Sequence, residues 1–332
     1  MRFDFDDEQR EIKETARQFL SSRFKPEVVR KLAEEDRYDD ALWSEVSELG
    51  WPGIAISEDH GGQGLGMVEL VILSEELGYA CAPLPLLTNA AAGLVIERAG
   101  SDEQRERWLP GIASGEARGS FGDPDVLVDA EGAASAVVYA EGDEGARVRL
   151  VDLAGVALEP VELIDSTRRY FRPLDDAGGE EIAGEIGPPT DMLVVAVAAD
   201  LVGVAQKAME MAVAYAKERE QFERPIGAYQ AVSHQCAEML YDVEEARSLT
   251  YFAAWAADAD PDALPLAAAM AKARASDAAW EVCKASIQVH GGIGFTWEHD
   301  LHFLLKRARV AGQLFGTAGQ HRERVAELAG LG

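Results

Sequence analysis

The sequence predicts a mainly α-helical chain interrupted by a small β unit, and three observations carry that prediction. Residues 1–118 show helical periodicity, residues 119–187 switch to short β-branched and aromatic runs, and residues 188–332 return to long, Ala-rich helical runs. With 48% hydrophobic residues in 332, the chain can bury a sizeable core shared among two or three units.

In the first segment, FDFDDEQREIKETARQFLSSRF places apolar residues at three- and four-residue intervals, with acids early, where the helix dipole favours them. ALWSEVSELG reads as a second, short helix stopped by Gly50. WPGIAISEDHGGQGLG reads as a Gly-rich loop, and MVELVILSEELGYA as a further amphipathic helix. Its GGQGLG is out of register with a dinucleotide-binding GxGxxG and follows no strand, so a structural loop is the preferred reading. Ser101, with Gln104 three residues on, is a capping box opening the next helix. SAVVYAE, ARVRLVDL and YFRPL, separated by Gly, Asp and Pro, are the strands of the β unit. Three long helical runs, at 190–220, 230–258 and 264–290, read with shorter terminal helices as an antiparallel bundle.

The net charge of -28 argues against nucleic acid or an anionic membrane as a partner. No run of about 18 apolar residues suggests a membrane span. Cys81, Cys236 and Cys283 are far apart, and MRFDFDDEQR is not a signal peptide, so reduced thiols in the cytoplasm are expected. His299 and His302 lie three apart without a third ligand, which favours a surface helix over a metal site; no metal is expected.

Against that acidic background, KEREQFERPIGAYQ (217–230) gathers Lys217, Arg219 and Arg224 around Phe222 at a helix end. An arginine fork grips phosphate in bidentate fashion, so the segment is either a phosphate site or a capped helix end. QVHGGIGFTW (288–297) carries Gly291, Gly292 and Gly294, where a helix stop needs one glycine, and Gln288 supplies both an amide donor and an acceptor.

RxxFxxPI…Q followed by QxxGGxGF in a C-terminal helical segment resembles the acyl-CoA dehydrogenase family. LWSEVSELGWPGIAISEDHGGQGLGMVELVILSEELG is similar to that family's first domain, and DSTRRYF to the exit of its β domain. The resemblance implies an N-terminal helical domain (1–118), a shortened middle β domain (119–187) and a C-terminal four-helix bundle (188–332). It also implies FAD shared across a subunit interface. The positions matching Arg219, Gln221, Phe222 and Ile226, and Gln288, Val289, Gly291 and Gly292, would reach the pyrophosphate and adenosine end of a neighbour's FAD.

Two departures bear on activity. Where the family has an LTEPxAGSD-like segment for the flavin ring, this chain reads GSFGDPDVLVDAEGAASAVVYAE. Where the family's catalytic glutamate stands in YEGT, this chain reads QLFGT, with Phe315 in its place, and Gly319 replaces a glutamine beyond Thr317. The alternative base position falls at Leu193 or Val194, and neither accepts a proton. Asp191 is a weak alternative, read more simply as a helix N-terminal acid.

The pattern resembles the short, base-lacking subunits of actinobacterial α2β2 enzymes that desaturate steroid side-chain acyl-CoA, and GFTWEHDLHFLLKRA is similar to theirs. A full-length paralogue would then supply the base and hold most of the acyl-CoA substrate, with electron-transferring flavoprotein as the acceptor. Two rivals remain: a self-sufficient homo-oligomer with a displaced base, and a non-enzymatic scaffold.

Overall fold

A computed structural model describes residues 4–35, 37–142, 145–175, 177–182 and 184–331. Six helices come first: α1 (Asp7–Arg23), α2 (Pro26–Glu34), α3 (Asp40–Glu48), α4 (Met67–Ala80), α5 (Leu86–Ala99) and α6 (Asp102–Ser114). Their starts follow from side-chain caps. Asp6 with Gln9, and Ser101 with Gln104, each form a complete capping box, and Asp39 accepts the amides of Ala41 and Leu42. Helix α2, which is not among the elements expected from the sequence, opens on Pro26, whose missing N–H costs nothing in a first turn. The helix read from ALWSEVSELG is therefore the third. Gly50 follows it at φ 73°, a left-handed stop.

The β unit is a seven-stranded sheet ordered β5-β6-β2-β1-β3-β4-β7. Its strands are β1 (Gly119–Gly122), β2 (Leu127–Val128), β3 (Ser135–Gly142), β4 (Gly145–Asp152), β5 (Leu158–Pro160), β6 (Tyr170–Pro173) and β7 (Glu180–Glu181). β1 and β3 run parallel and the other neighbours antiparallel. Then come α7 (Gly187–Glu218), the short strands β8 (Glu220–Gln221) and β9 (Arg224–Pro225), α8 (Gln230–Ala259), α9 (Leu264–His290), α10 (Leu301–Ala311) and α11 (Ala318–Leu328).

These elements group into two compact units. One comprises Lys31–Leu70 and Pro83–Leu193. Within it, Leu127, Ala136, Val138, Val151, Leu153 and Phe171 form the core of the sheet. Asn89, fully buried on α5, donates to the carbonyls of Pro52 and Ile112 and accepts the amide of Gly119, tying α5 and α6 to the first strand. GGQGLG folds back on its own approach: Gln63, Gly64 and Leu65 donate to the carbonyls of Gly53, Ile56 and Ile54. A side chain at Gly62 would sit 2.1 Å from the Ile56 oxygen. That loop is structural.

The other unit comprises Met1–Arg30, Val71–Ala82 and Val194–Gly332. Here α4 and α7 cross at backbone contact. A Cβ on Gly78 would stand 1.9 Å from the Asp200 oxygen, and one on Gly203 1.9 Å from the Glu75 oxygen. Only glycine allows that approach. At the same crossing, Arg307 and Asp200, each about 1% exposed, form a bidentate pair at 2.5 and 3.1 Å, and Arg307 also donates to the Ala82 carbonyl at 3.0 Å. Stranding either partner of such a pair costs about 3–5 kcal/mol. The small residues of α9, including Ala268, Ala271, Ala275 and Ala279, are buried and let the neighbouring helices pack closely.

Contrary to the expectation from the sequence, one apolar stretch does reach membrane length. Helix α7 is long and apolar enough to cross a bilayer, with a mean hydropathy of 1.7 in its best window. However, 89% of that window is buried within the protein, so the apolarity serves the core.

Candidate functional site

The segment 219–226 is not a simple loop. Beyond the last turn of α7, β8 and β9 pair as a two-residue hairpin in the register Glu220↔Pro225 and Gln221↔Arg224. Phe222 and Glu223 form its tip at φ 54° and 64°. Left-handed non-glycine residues are uncommon, and two in succession make the tight turn with a right-handed strand twist. The Ile226 amide donates to the Arg219 carbonyl, and the Tyr229 hydroxyl donates to the Gln221 carbonyl at 3.1 Å. Arg224 lies over the Tyr229 ring at 3.9 Å, and Phe222 meets the same ring edge-on at 6.4 Å. Those contacts occupy Arg224. Arg219 is exposed and, among the described residues, no carboxylate pairs with it. Phe222 is 87% exposed.

The second motif lies at the same end of the bundle. Tyr215, in the last turns of α7, stacks on His290, the last residue of α9, with ring centroids 4.5 Å apart. The Ser286 hydroxyl donates to the Ala208 carbonyl at 2.8 Å one turn deeper. The ends of α7 and α9 are therefore side by side, and the hairpin and the glycine turn share a surface. Of the three glycines, two have internal reasons. Gly291 ends α9 at φ 63°, and a Cβ on Gly294 would press 2.9 Å from the Ile287 oxygen. Gly292 has neither: a Cβ there would meet nothing within 4 Å. Its bare backbone faces open space, as Gln288 does beside it, whereas Val289 is buried. Phe295 is 79% exposed and Trp297 55%. With Phe222 they are exposed aromatics of the two segments that carry Arg219 and Gln288, both exposed as well.

His299 and His302 diverge into different ring contacts. His299 packs against His290 at 4.6 Å, and His302 stacks on Trp297 at 4.5 Å.

Phe315 occupies a turn between α10 and α11 at φ 57°. His321 Nε2 bonds to its carbonyl at 2.9 Å. Gln320 forms a capping box with Thr317, so a glutamine acts one position beyond Gly319. Beneath the turn lies Lys272, fully buried, which sequence reasoning did not single out. Its amine contacts the carbonyls of Gly312 and Gly316, each at 3.0 Å, and the Ser276 hydroxyl at 3.2 Å. Burial pulls the Lys272 ammonium down to about 7. Burial, and then the charge of Lys272, push His321 down to about 4. A lysine inside an Ala-rich helical run, AAAMAKARAS, was the available signal.

Asp191 is not in the first turn of α7. It is the fifth residue of that helix and 2% exposed. Leu193 and Val194 are buried apolar residues. The place of the LTEPxAGSD-like segment is taken by β1 and a turn in which Asp123 accepts the amides of Asp125 and Val126.

Comparison with known proteins agrees with the fold. The N-terminal domain of acyl-CoA dehydrogenases matches residues 6–116, and the C-terminal domain matches residues 193–329. Acyl-CoA dehydrogenase IpdE2 of Mycobacterium tuberculosis is 33% identical over 311 residues, covering 93% of each chain. Acyl-CoA dehydrogenase FadE34 of the same organism is 37% identical over 311 residues, which span 88% of this chain and 42% of FadE34. Among solved structures, a variant of the Tcur3481-Tcur3483 steroid ACAD superposes with a TM-score of 0.87 at 30% identity over 98% of both chains. The ChsE4-ChsE5 complex of M. tuberculosis does so with a TM-score of 0.87 at 25% identity over 99% of both. The chain belongs to the acyl-CoA dehydrogenase family.

Proposed function

We propose that this chain is the FAD-completing, base-lacking subunit of a heteromeric acyl-CoA dehydrogenase that desaturates a CoA thioester between Cα and Cβ. The observation that carries the reading is the surface shared by the hairpin and the glycine turn. It combines an arginine without a carboxylate partner among the described residues, a glycine whose openness the fold does not require, and exposed Phe222, Phe295 and Trp297. Exposed aromatics around polar groups mark an interface. These features fit FAD, which when bound supplies the hydride acceptor.

In this reading Arg219 grips the pyrophosphate, and Gln288 with the backbone of Gly291 and Gly292 meets the adenosine end. Phe222 packs on the cofactor, with Gln221, Ile226 and Val289 flanking. Phe315, held at the position of the family's glutamate, cannot remove the α proton. A full-length paralogue therefore supplies the base and the flavin-ring contacts, holds most of the acyl-CoA, and forms an α2β2 assembly that passes electrons to electron-transferring flavoprotein. The names of the steroid ACAD and of the ChsE4-ChsE5 complex favour a steroid side chain as the acyl group and a two-chain enzyme. The reading takes 1–118, 119–187 and 188–332 as the three domains and the cytoplasm as the place of action.

Co-expression with a full-length paralogue tests it. The expected result is one flavin per two chains and turnover in the complex only. Full flavin occupancy and turnover by the isolated chain would overturn the reading.

A further inference from the structure

The turn at 312–316 is held from inside the protein. Lys272 reaches two of its carbonyls, Gly312 and Gly316, which bracket Phe315, and His321 bonds to the carbonyl of Phe315 itself. Phe315 and Gly316 are both left-handed, at φ 57° and 106°. A non-glycine residue in that region persists only where its surroundings enforce it. The outer side of the turn, with Ser276, Trp280 and Arg309, lines a cleft of about 250 Å³, so holding the turn also sets one wall of that cleft.

We propose that Lys272 is a positioning residue: its buried amine fixes the 312–316 turn, and so the place of residue 315, with partners for either protonation state and a tighter hold when neutral. The three contacts of the amine explain the second clause. A charged ammonium has three N–H donors and meets three acceptors, the carbonyls of Gly312 and Gly316 and the Ser276 oxygen. A neutral amine has two N–H donors and a lone pair. The two carbonyls still accept, and the Ser276 hydroxyl turns to donate to the nitrogen. A third carbonyl in place of Ser276 would satisfy only the charged form. A carboxylate would lock the charge on, and among the described residues none pairs with Lys272.

The surrounding charges leave this arrangement undisturbed at neutral pH. His321 on α11 is already neutral, being pushed down to about 4, and Arg324 lies beyond it. On α9, Arg274 pairs with Asp242 and Glu245 of α8, and Asp277 pairs with Arg322 of α11.

The importance of residue 315 rests on the subunit reading above, but the clamp is tested without flavin or turnover. The amides of Gln313 and Leu314 donate to the carbonyls of Val310 and Ala311 at the end of α10, and that of Gly316 to Gln313 within the turn, so all three report its opening by hydrogen exchange in the full chain. Opening hydrates the Lys272 amine and lets it regain a proton. After correction for intrinsic exchange, opening should become rarer by up to about tenfold per pH unit as pH rises from 7 towards 9. Lys272→Met should abolish that slope and raise opening at pH 8 more than tenfold, while amides in the middle of α8 stay protected. A flat wild-type profile, or protection in Lys272→Met equal to wild type, would overturn the proposal. If Lys272→Met fails to fold, the wild-type profile decides alone. Failure of the clamp would leave the subunit reading intact, because flavin stoichiometry tests that reading separately.

Discussion

Tyr215 stacks on His290 with ring centroids 4.5 Å apart and planes 25° from parallel. Seventy-five residues separate them, yet this contact makes one surface out of two motifs. Burial lowers the pKa of His290, and its Nδ1 lies 2.8 Å from the Ser286 carbonyl, so a neutral ring forms the stack. The joint between hairpin and glycine turn is thus aromatic and uncharged, and the exposed cations beside it are Lys217 and Arg219.

Arg219→Ala should weaken flavin binding by the complex roughly ten- to a hundredfold, the loss expected for charge-assisted bonds to a diphosphate. Folding should be unaffected, since the side chain is exposed and makes no ion pair among the described residues. Equilibrium flavin titration of the purified complex measures it. Unchanged affinity would favour the scaffold reading.

Asp191→Asn should leave turnover of the complex within about twofold. Asp191 is the fifth residue of α7 and only 2% exposed. Steady-state assay with an acyl-CoA and an artificial electron acceptor is sufficient. Abolished turnover with flavin retained would favour a self-sufficient enzyme using this acid.

His321 gives the stability a definite acid dependence. Its folded-state pKa lies near 4, below the ordinary 6.5, so the folded protein prefers the neutral ring. The associated stability is fully present above about pH 6.5 and is lost as pH falls towards 4. Between pH 7.0 and 4.5 the part lost is roughly 2–2.5 kcal/mol, from about 1.4 kcal/mol per unit. Urea unfolding at pH 7.0 and 4.5 should show His321→Gln losing less on acidification than wild type by about that amount. Equal losses would remove His321 as the cause.

Gly203→Ala should be among the most damaging single-methyl additions in the chain. Its Cβ would overlap the Glu75 carbonyl at 1.9 Å, a backbone atom that cannot rotate away. Overpacking typically costs about 1–3 kcal/mol, and this site belongs at or above the upper end. Gly292→Ala is the control: with nothing within 4 Å it should leave stability unchanged, as thermal unfolding of both variants would show.

The sequence by itself determined the helical–β–helical order, the caps at Ser101 and Gly50, the long bundle helices and the family, because these are written in local periodicity and short motifs. It also exposed the hairpin and glycine segments as unusual, since excess cations and surplus glycines need no contact map to be noticed. Tertiary structure alone decided which surplus mattered. Gly291 and Gly294 serve the backbone, whereas Gly292 is free, and that distinction depends on atoms from other turns. Gly78 and Gly203 pass in the sequence as ordinary helix residues, and only the crossing of α4 and α7 gives them a reason. Likewise Lys272 stands in an alanine run where only the Ser276 hydroxyl, one turn on, is near it in sequence to hold. Its acceptors, Gly312 and Gly316, lie 40 and 44 residues away, and burial beside those carbonyls, a property of the packed chain, brings its amine near neutrality.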